Sequence, residues 1–172
     1  LYANTVGNFN TAIGTKALDA NVDGNNNIAL GHNTLGKNTS GAHNVALGNI
    51  CLNENLLGYM NVAIGNGAQY RNLVGHHNIA IGVNALYRNE NRNFLVAVGD
   101  SALFNNLSGD ENTAIGSKSL FSNSSGDDNT AVGFHSLFSN TSGYENTALG
   151  DKALTANTTG SSNVAVGASA LD

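Results

Sequence analysis

Apolar residues fall in two short clusters separated by polar turns, and the alternation never loses step. Ala12, Ala29 and every seventeenth residue on to Ala165 are alanine, preceded by Thr, Ile or Val and followed by Ile, Leu or Val, then by a glycine from Gly14 to Gly167. A β-branched stretch this short, bounded by Asn and Gly, predicts a strand and is too brief for a helix. Counted from the glycine, the second cluster begins at position +3 with a small residue such as Ala17, Thr34 or Cys51. Position +4 is Leu in every repeat except at Gln69, and +5 carries the run Tyr70, Tyr87, Phe104, Phe121, Phe138. This cluster predicts a second, shorter strand. An unbroken period means one short unit stacked on itself. The expected fold is therefore all-β: a parallel β-solenoid, or β-roll, of about ten coils, with residues 1–172 forming a single repetitive domain.

The links carry turn chemistry. Asn occupies +7 without exception, from Asn4 to Asn157, and Gly follows three residues later everywhere except at Arg92. Asn bonds local backbone and tolerates left-handed dihedrals, and Gly supplies unusual φ without steric cost. A second Asn row, at −4 from Asn10 to Asn163, is broken only at Leu95. Identical Asn side chains stacked coil on coil can bond along the axis. With strands about 4.8 Å apart, ten coils predict a rod on the order of 45 to 50 Å long. Proline is absent, as strands donating hydrogen bonds to neighbouring coils require.

Each first strand points its Ala one way and two aliphatic or β-branched side chains the other, so neither face is polar. The second predicted strand sets Leu against the small and aromatic positions. Strands apolar on both faces read as buried on both, yet a lone solenoid has one interior. Copies of the chain around a cyclic axis are the simplest cover.

Composition narrows the function classes. Charged residues make up only 11% of the chain, and the net charge of −5 with seven Lys and Arg leaves no basic stripe for nucleic acid. No run of about 18 apolar residues offers a membrane span, and no charged-then-apolar leader is present. Leu1 falls in frame with Leu18, and Asp172 with Tyr2 and Asp19, so the expectation is a fragment of a longer fibre protein.

The units Asn44-Val45-Ala46-Leu47-Gly48, Asn61-Val62-Ala63-Ile64-Gly65 and Asn163-Val164-Ala165-Val166-Gly167 resemble the head repeat of trimeric autotransporter adhesins. The longer run from Asn146-Thr147-Ala148-Leu149-Gly150 through Ala153-Leu154 to Asn157-Thr158-Thr159-Gly160 is similar to repeats of phage and giant-virus tail fibres and of bacterial surface fibre proteins. The resemblance implies a left-handed coil, a homotrimer, an extracellular place on a cell surface or virion, and a stalk or adhesive head that binds a surface receptor or glycan. It implies no enzyme and no cofactor. Two rivals remain: a segment acting on polysaccharide, as tailspikes do, and an ice-binding solenoid, whose flat Thr array is here interrupted, with Thr11, Thr113, Thr130 and Thr147 sharing their row with Ile and Val.

Candidate chemistry is sparse. The aromatic row reads as packing, with sugar stacking as the alternative. His32, His43, His76, His77 and His135 occupy several frames, so no metal site is expected and they read as solvated turn residues. His43 and His77 share a row with Met60 between them. Asp110-Glu111, Asp127-Asp128 and Glu145 stack on one long turn. They read as an acidic edge, with calcium binding or acid–base catalysis as the sharper alternative. Cys51 reads as a small buried filler.

The irregular coils are more informative. Between Leu56 and Leu95 the turns carry Tyr59-Met60, His76-His77 and Asn93-Phe94, while Gln69, Arg92 and Leu95 break their rows. Local rules broken together mark a candidate functional patch, and Tyr59, Met60, His76, His77 and Phe94 are the predicted ligand-binding residues.

Overall fold

A computed structural model describes residues 1–172. Ten strands of three residues follow one another: β1 Thr11–Ile13, β2 Ile28–Leu30, β3 Val45–Leu47, β4 Val62–Ile64, β5 Ile79–Ile81, β6 Val96–Val98, β7 Thr113–Ile115, β8 Thr130–Val132, β9 Thr147–Leu149 and β10 Val164–Val166. They form one parallel sheet in chain order. Its register matches the repeat, with Ala12 opposite Ala29 and Ala29 opposite Ala46. The chain is a β-solenoid of 17-residue coils. It has no helix long and apolar enough to cross a membrane.

The second strand does not form. Residues after each glycine run through turns, because +2 and +4 take left-handed dihedrals: Lys16 has φ 59° and Leu18 φ 49°, and the pattern repeats to Ser169 and Leu171. A strand would alternate its side chains. Here the left-handed residues turn two successive side chains inward, and Ala17 and Leu18 are both buried. The small position thus shares the interior with Leu and does not face outward with the aromatics. A left-handed leucine costs about 1–2 kcal/mol, which the burial of its side chain, about 1.5–3 kcal/mol, offsets. The turn also keeps its hydrogen bonds: Leu18 N–H donates to Thr34 O at 3.0 Å in the next coil, and Asn33 N–H to Thr15 O at 2.8 Å in the previous one. Of 107 backbone–backbone bonds only 18 lie within strands, so the turns hold the stack together as much as the sheet does.

The interior is built of rows. Alanines from the strands face leucines from the turns, and asparagines close both ends of the cross-section. In the +7 row Asn38 Nδ2 donates to Asn21 Oδ1 at 2.7 Å and also to Gly41 O at 3.0 Å. In the −4 row Asn44 donates through both N–H and Nδ2 to Asn27 Oδ1, at 3.0 and 3.1 Å. Along most of each row a buried amide is satisfied by its own kind one coil away and by a turn carbonyl, as burial of polar groups demands. The glycine that sets the period is forced as well: Gly116 has φ 131°, and a Cβ there would lie 2.6 Å from the Gly133 carbonyl carbon.

The outer strand face carries Ile, Val and Leu, with Thr11, Thr113, Thr130 and Thr147 among them, and is uncovered in the single chain. Ile28 and Leu30 are 43% and 45% exposed, and Val164 and Val166 reach 69% and 68%. Six of the ten strands are thus apolar on both faces, with one face inside and one outside, and the other four place one Thr on the outer face.

Candidate binding site

At each coil's long turn, the residue five before the glycine is left-handed, including Met60 at φ 55°, His77 at 57° and Phe94 at 58°. That dihedral aims it and its predecessor outward. Backbone bonds fix the spacing of the pairs, with Met60 N–H donating to Ala42 O at 3.0 Å and His77 N–H to Tyr59 O at 3.2 Å. His76 N–H donates to Asn93 Oδ1 at 2.9 Å, and Asn93 N–H to Asp110 Oδ1 at 2.8 Å.

The predicted ring residues meet. Tyr59 stacks on His76 with centroids 4.6 Å apart, and His77 on Phe94 at 5.3 Å. The two stacks cross edge to face, His76 to His77 at 5.1 Å and His76 to Phe94 at 5.6 Å. His76 Nδ1 and His77 Nδ1 lie 2.9 Å apart, so one carries a proton and the other accepts it. Met60 continues the column one coil before His77 and is half exposed. Leu57 and Val74, two residues before Tyr59 and His76 in the chain, are also exposed. These are preorganised, exposed rings with polar edges, the kind of surface that packs against a partner while hydrogen-bonding at its rim.

Three residues missing from the predicted ligand set shape the interior behind this patch. Gln69 stands in the leucine row and donates to Asn61 Oδ1 at 3.2 Å, leaving its own Oε1 buried without a partner. Leu95 interrupts the −4 amide row: its N–H still reaches Asn78 Oδ1 at 3.0 Å, but it has no amide to offer Asn112. Arg92 places a side chain where the other coils have none. Asn89 still donates to Asn72 at 3.2 Å, but Asn106 donates only to Gly109 O, and the row resumes with Asn123 donating to Asn106 at 2.9 Å. The backbone parts at the same level. Leu73 and Val74 N–H both reach Glu90 O, yet Glu90 N–H makes no matching bond to Leu107 O. Both amide rows and one turn are therefore interrupted between two neighbouring coils. The broken frames at Arg92 and Leu95 were the sequence signal for this; the loss of coil-to-coil bonds was not readable from them.

Elsewhere the candidates take structural roles. The rings from Tyr70 to Phe138 stack on one another at 5.1–5.4 Å and within 15° of parallel. The inner rings thus spend both faces on their neighbours and leave none open for a sugar. His135 lies between Phe134 and Phe138, and burial, then Lys118 and Lys152, hold its imidazole below the ordinary range. His32 Nδ1 pairs with Asn49 Oδ1 at 3.1 Å. Asp110 and Asp127 accept backbone N–H groups from Asn93 and Asp110, while Glu111, Asp128 and Glu145 are exposed. Cys51 donates its thiol to Ala63 O at 3.0 Å, and burial pushes it up to about 12. No group of three His, Cys, Asp or Glu side chains converges on a point, and the surface has no pocket. Comparison with protein-family models, curated proteins and solved structures finds no match.

Proposed function

We propose that the chain is a rod segment of an extracellular fibre, borne on a cell surface or a virion, that acts as stalk or adhesive head. Three copies pack through their outer strand faces, and the Tyr59, Met60, His76, His77 and Phe94 patch meets a receptor, with a surface glycan as the ligand class. The observation that carries this reading is the outer strand face: an uncharged strip of Ile, Val and Leu along the sheet, interrupted by Thr in four coils and left uncovered by the single chain. Exposed apolar strips of that extent mark interaction surfaces, and a repeating strip is matched by its own copies.

The rivals have less support. A polysaccharide-acting segment needs paired carboxylates over a cleft, whereas Asp110 and Asp127 are engaged with backbone. An ice-binding face needs hydroxyls in regular array, and six of the ten coils place Ile or Val where Thr would stand.

The test is a glycan-array screen of the intact chain beside Tyr59→Ala and Phe94→Ala variants. Binding to a defined glycan class that both substitutions weaken by at least about tenfold, 1.4 kcal/mol, is the expected result. Binding that neither substitution alters would remove the patch from the proposal.

A further inference from the structure

We infer that Tyr70 and Tyr87 form an oxidative cross-linking site, where a carbon–carbon bond between the two rings makes a dityrosine that staples one coil to the next. This goes beyond the fibre reading and does not depend on it. Of the five tyrosines in the chain, only these two stand at the same position of neighbouring coils. Their rings stack with centroids 5.1 Å apart and planes 10° from parallel. Backbone bonds fix the pair, with Glu54 N–H donating to Tyr70 O at 3.0 Å and Arg71 N–H to Tyr87 O at 3.1 Å. Phe104 holds Tyr87 from the far side, at 5.1 Å and 3° from parallel.

Phenoxyl radicals couple through the ring carbons ortho to the oxygen. The new bond grows from π lobes perpendicular to the ring planes, so a parallel stack is the arrangement from which coupling starts. One ortho carbon, Tyr87 Cε2, lies beside Gly67, where a Cβ would stand 3.4 Å from it. Gly67 is the only glycine at +2, so the coil that carries Tyr70 places no side chain against that edge. The Tyr70 hydroxyl donates to Glu54 Oε1 at 3.3 Å, an oxygen that also accepts from Lys37 Nζ at 2.7 Å. Burial, then the Glu54 carboxylate, hold the Tyr70 phenol above its ordinary range. The phenol therefore starts protonated, with an acceptor in place for its proton. Both rings are half-buried, which leaves an edge open to an oxidant. The oxidant class is hydrogen peroxide acting through a haem peroxidase. Each phenol gives up one electron and its O–H proton, the Tyr70 proton passing to Glu54. The two radicals then join Cε to Cε, and the two ortho hydrogens move as protons to the phenolic oxygens, which restores both aromatic rings. Peroxide takes up the two electrons and two protons and leaves as two waters. The closed loop restricts the unfolded chain as a disulfide would.

The intact chain is treated with a haem peroxidase and dilute hydrogen peroxide at neutral pH. Blue dityrosine fluorescence is expected from a product that runs as a single chain on a denaturing gel and is lighter by two hydrogen atoms. Trypsin should release residues 38–71 joined to residues 72–88, and fragmentation should place the bond between Tyr70 and Tyr87. Tyr70→Phe and Tyr87→Phe each keep a ring in the stack and abolish this product, while Tyr59→Phe and Tyr144→Phe leave it unchanged. Glu54→Gln slows its formation. The stapled chain melts at a higher temperature than the untreated chain by circular dichroism, and treated Tyr87→Phe shows no such rise. No product, a product only between chains, or one that survives both substitutions at the stacked pair overturns the site. An unchanged rate in Glu54→Gln overturns the role of the carboxylate, and an unchanged midpoint overturns the stapling.

Discussion

The coils from Gly116 to Gly150 and those between Leu56 and Leu95 share a backbone path and differ in what they do with it. In the first region both amide rows run unbroken: Asn140 donates to Asn123 and Asn157 to Asn140, each at 2.9 Å, and Asn129 and Asn146 repeat the pattern on the other side. Its long turns point acids into solvent. In the second region the same turns present rings, the interior behind them holds Gln69 and Leu95, and Arg92 stands half-buried at its edge, each breaking a row. Outward positions thus change character freely because they touch only solvent and their stacked neighbours. Among inward positions the small +3 residue varies with its backbone bonds kept, whereas the Asn rows and the glycine of the long turn change at the cost of coil-to-coil bonds, and that cost falls where the ring patch ends.

The comparison breaks most severely at the period glycine. Gly133→Val in the regular region forces a side chain into the Gly150 carbonyl and requires a left-handed valine. A loss of about 3 kcal/mol or more is expected, read as a large fall in thermal midpoint by circular dichroism. A fall no greater than that of a surface substitution would remove the steric account of the period.

The amide rows give a finer contrast. Asn140→Ala removes a side chain bonded on both sides and leaves buried partners unsatisfied, costing about 1–3 kcal/mol. Asn106→Ala, in a row already open on one side, is expected to cost measurably less. Equal losses in urea titrations would show that the break near Arg92 carries no energetic consequence.

The reverse experiment repairs the second region. Arg92→Gly with Leu95→Asn restores both rows, with an expected gain of about 1–2 kcal/mol. The exposed Arg92–Asp110 ion pair at 3.4 Å is lost at under about 1 kcal/mol. Hydrogen exchange at residues 89–95 should slow towards that of residues 123–129, and unchanged exchange would contradict the interruption.

The smallest effect is one of pH, in the regular region. Burial, then Lys118 and Lys152, hold His135 below its ordinary range, so the folded coil resists protonation. Stability from this source is present above the unfolded imidazole value of about 6.5 and is lost as pH falls through the lower folded value. His135→Phe keeps the stack between Phe134 and Phe138 and should flatten the acid side of the stability profile.

Much of this was legible in the sequence because a repeat supplies ten readings of each position. The period, the strand around each Ala, the two Asn rows and the members of the ring patch followed from positions that hold or change between coils. The second strand was misread because side-chain pattern does not report the sign of φ: Ala17-Leu18 looks like half of an alternating strand, whereas left-handed dihedrals at Lys16 and Leu18 turn both inward. The ring contacts depend on torsions that composition does not specify. The closure of ring faces along Tyr70–Phe138 could be read only once stacking geometry replaced spacing.

The central proposal is that the outer strand face is covered by copies of the same chain, and multi-angle light scattering on the intact chain tests it directly. The predicted mass is three times the 17.6 kDa of one chain, falling towards one chain when Ile79→Lys and Ile81→Lys place charge on the outer face of β5. A stable 17.6 kDa monomer with an unmutated strand face would contradict it.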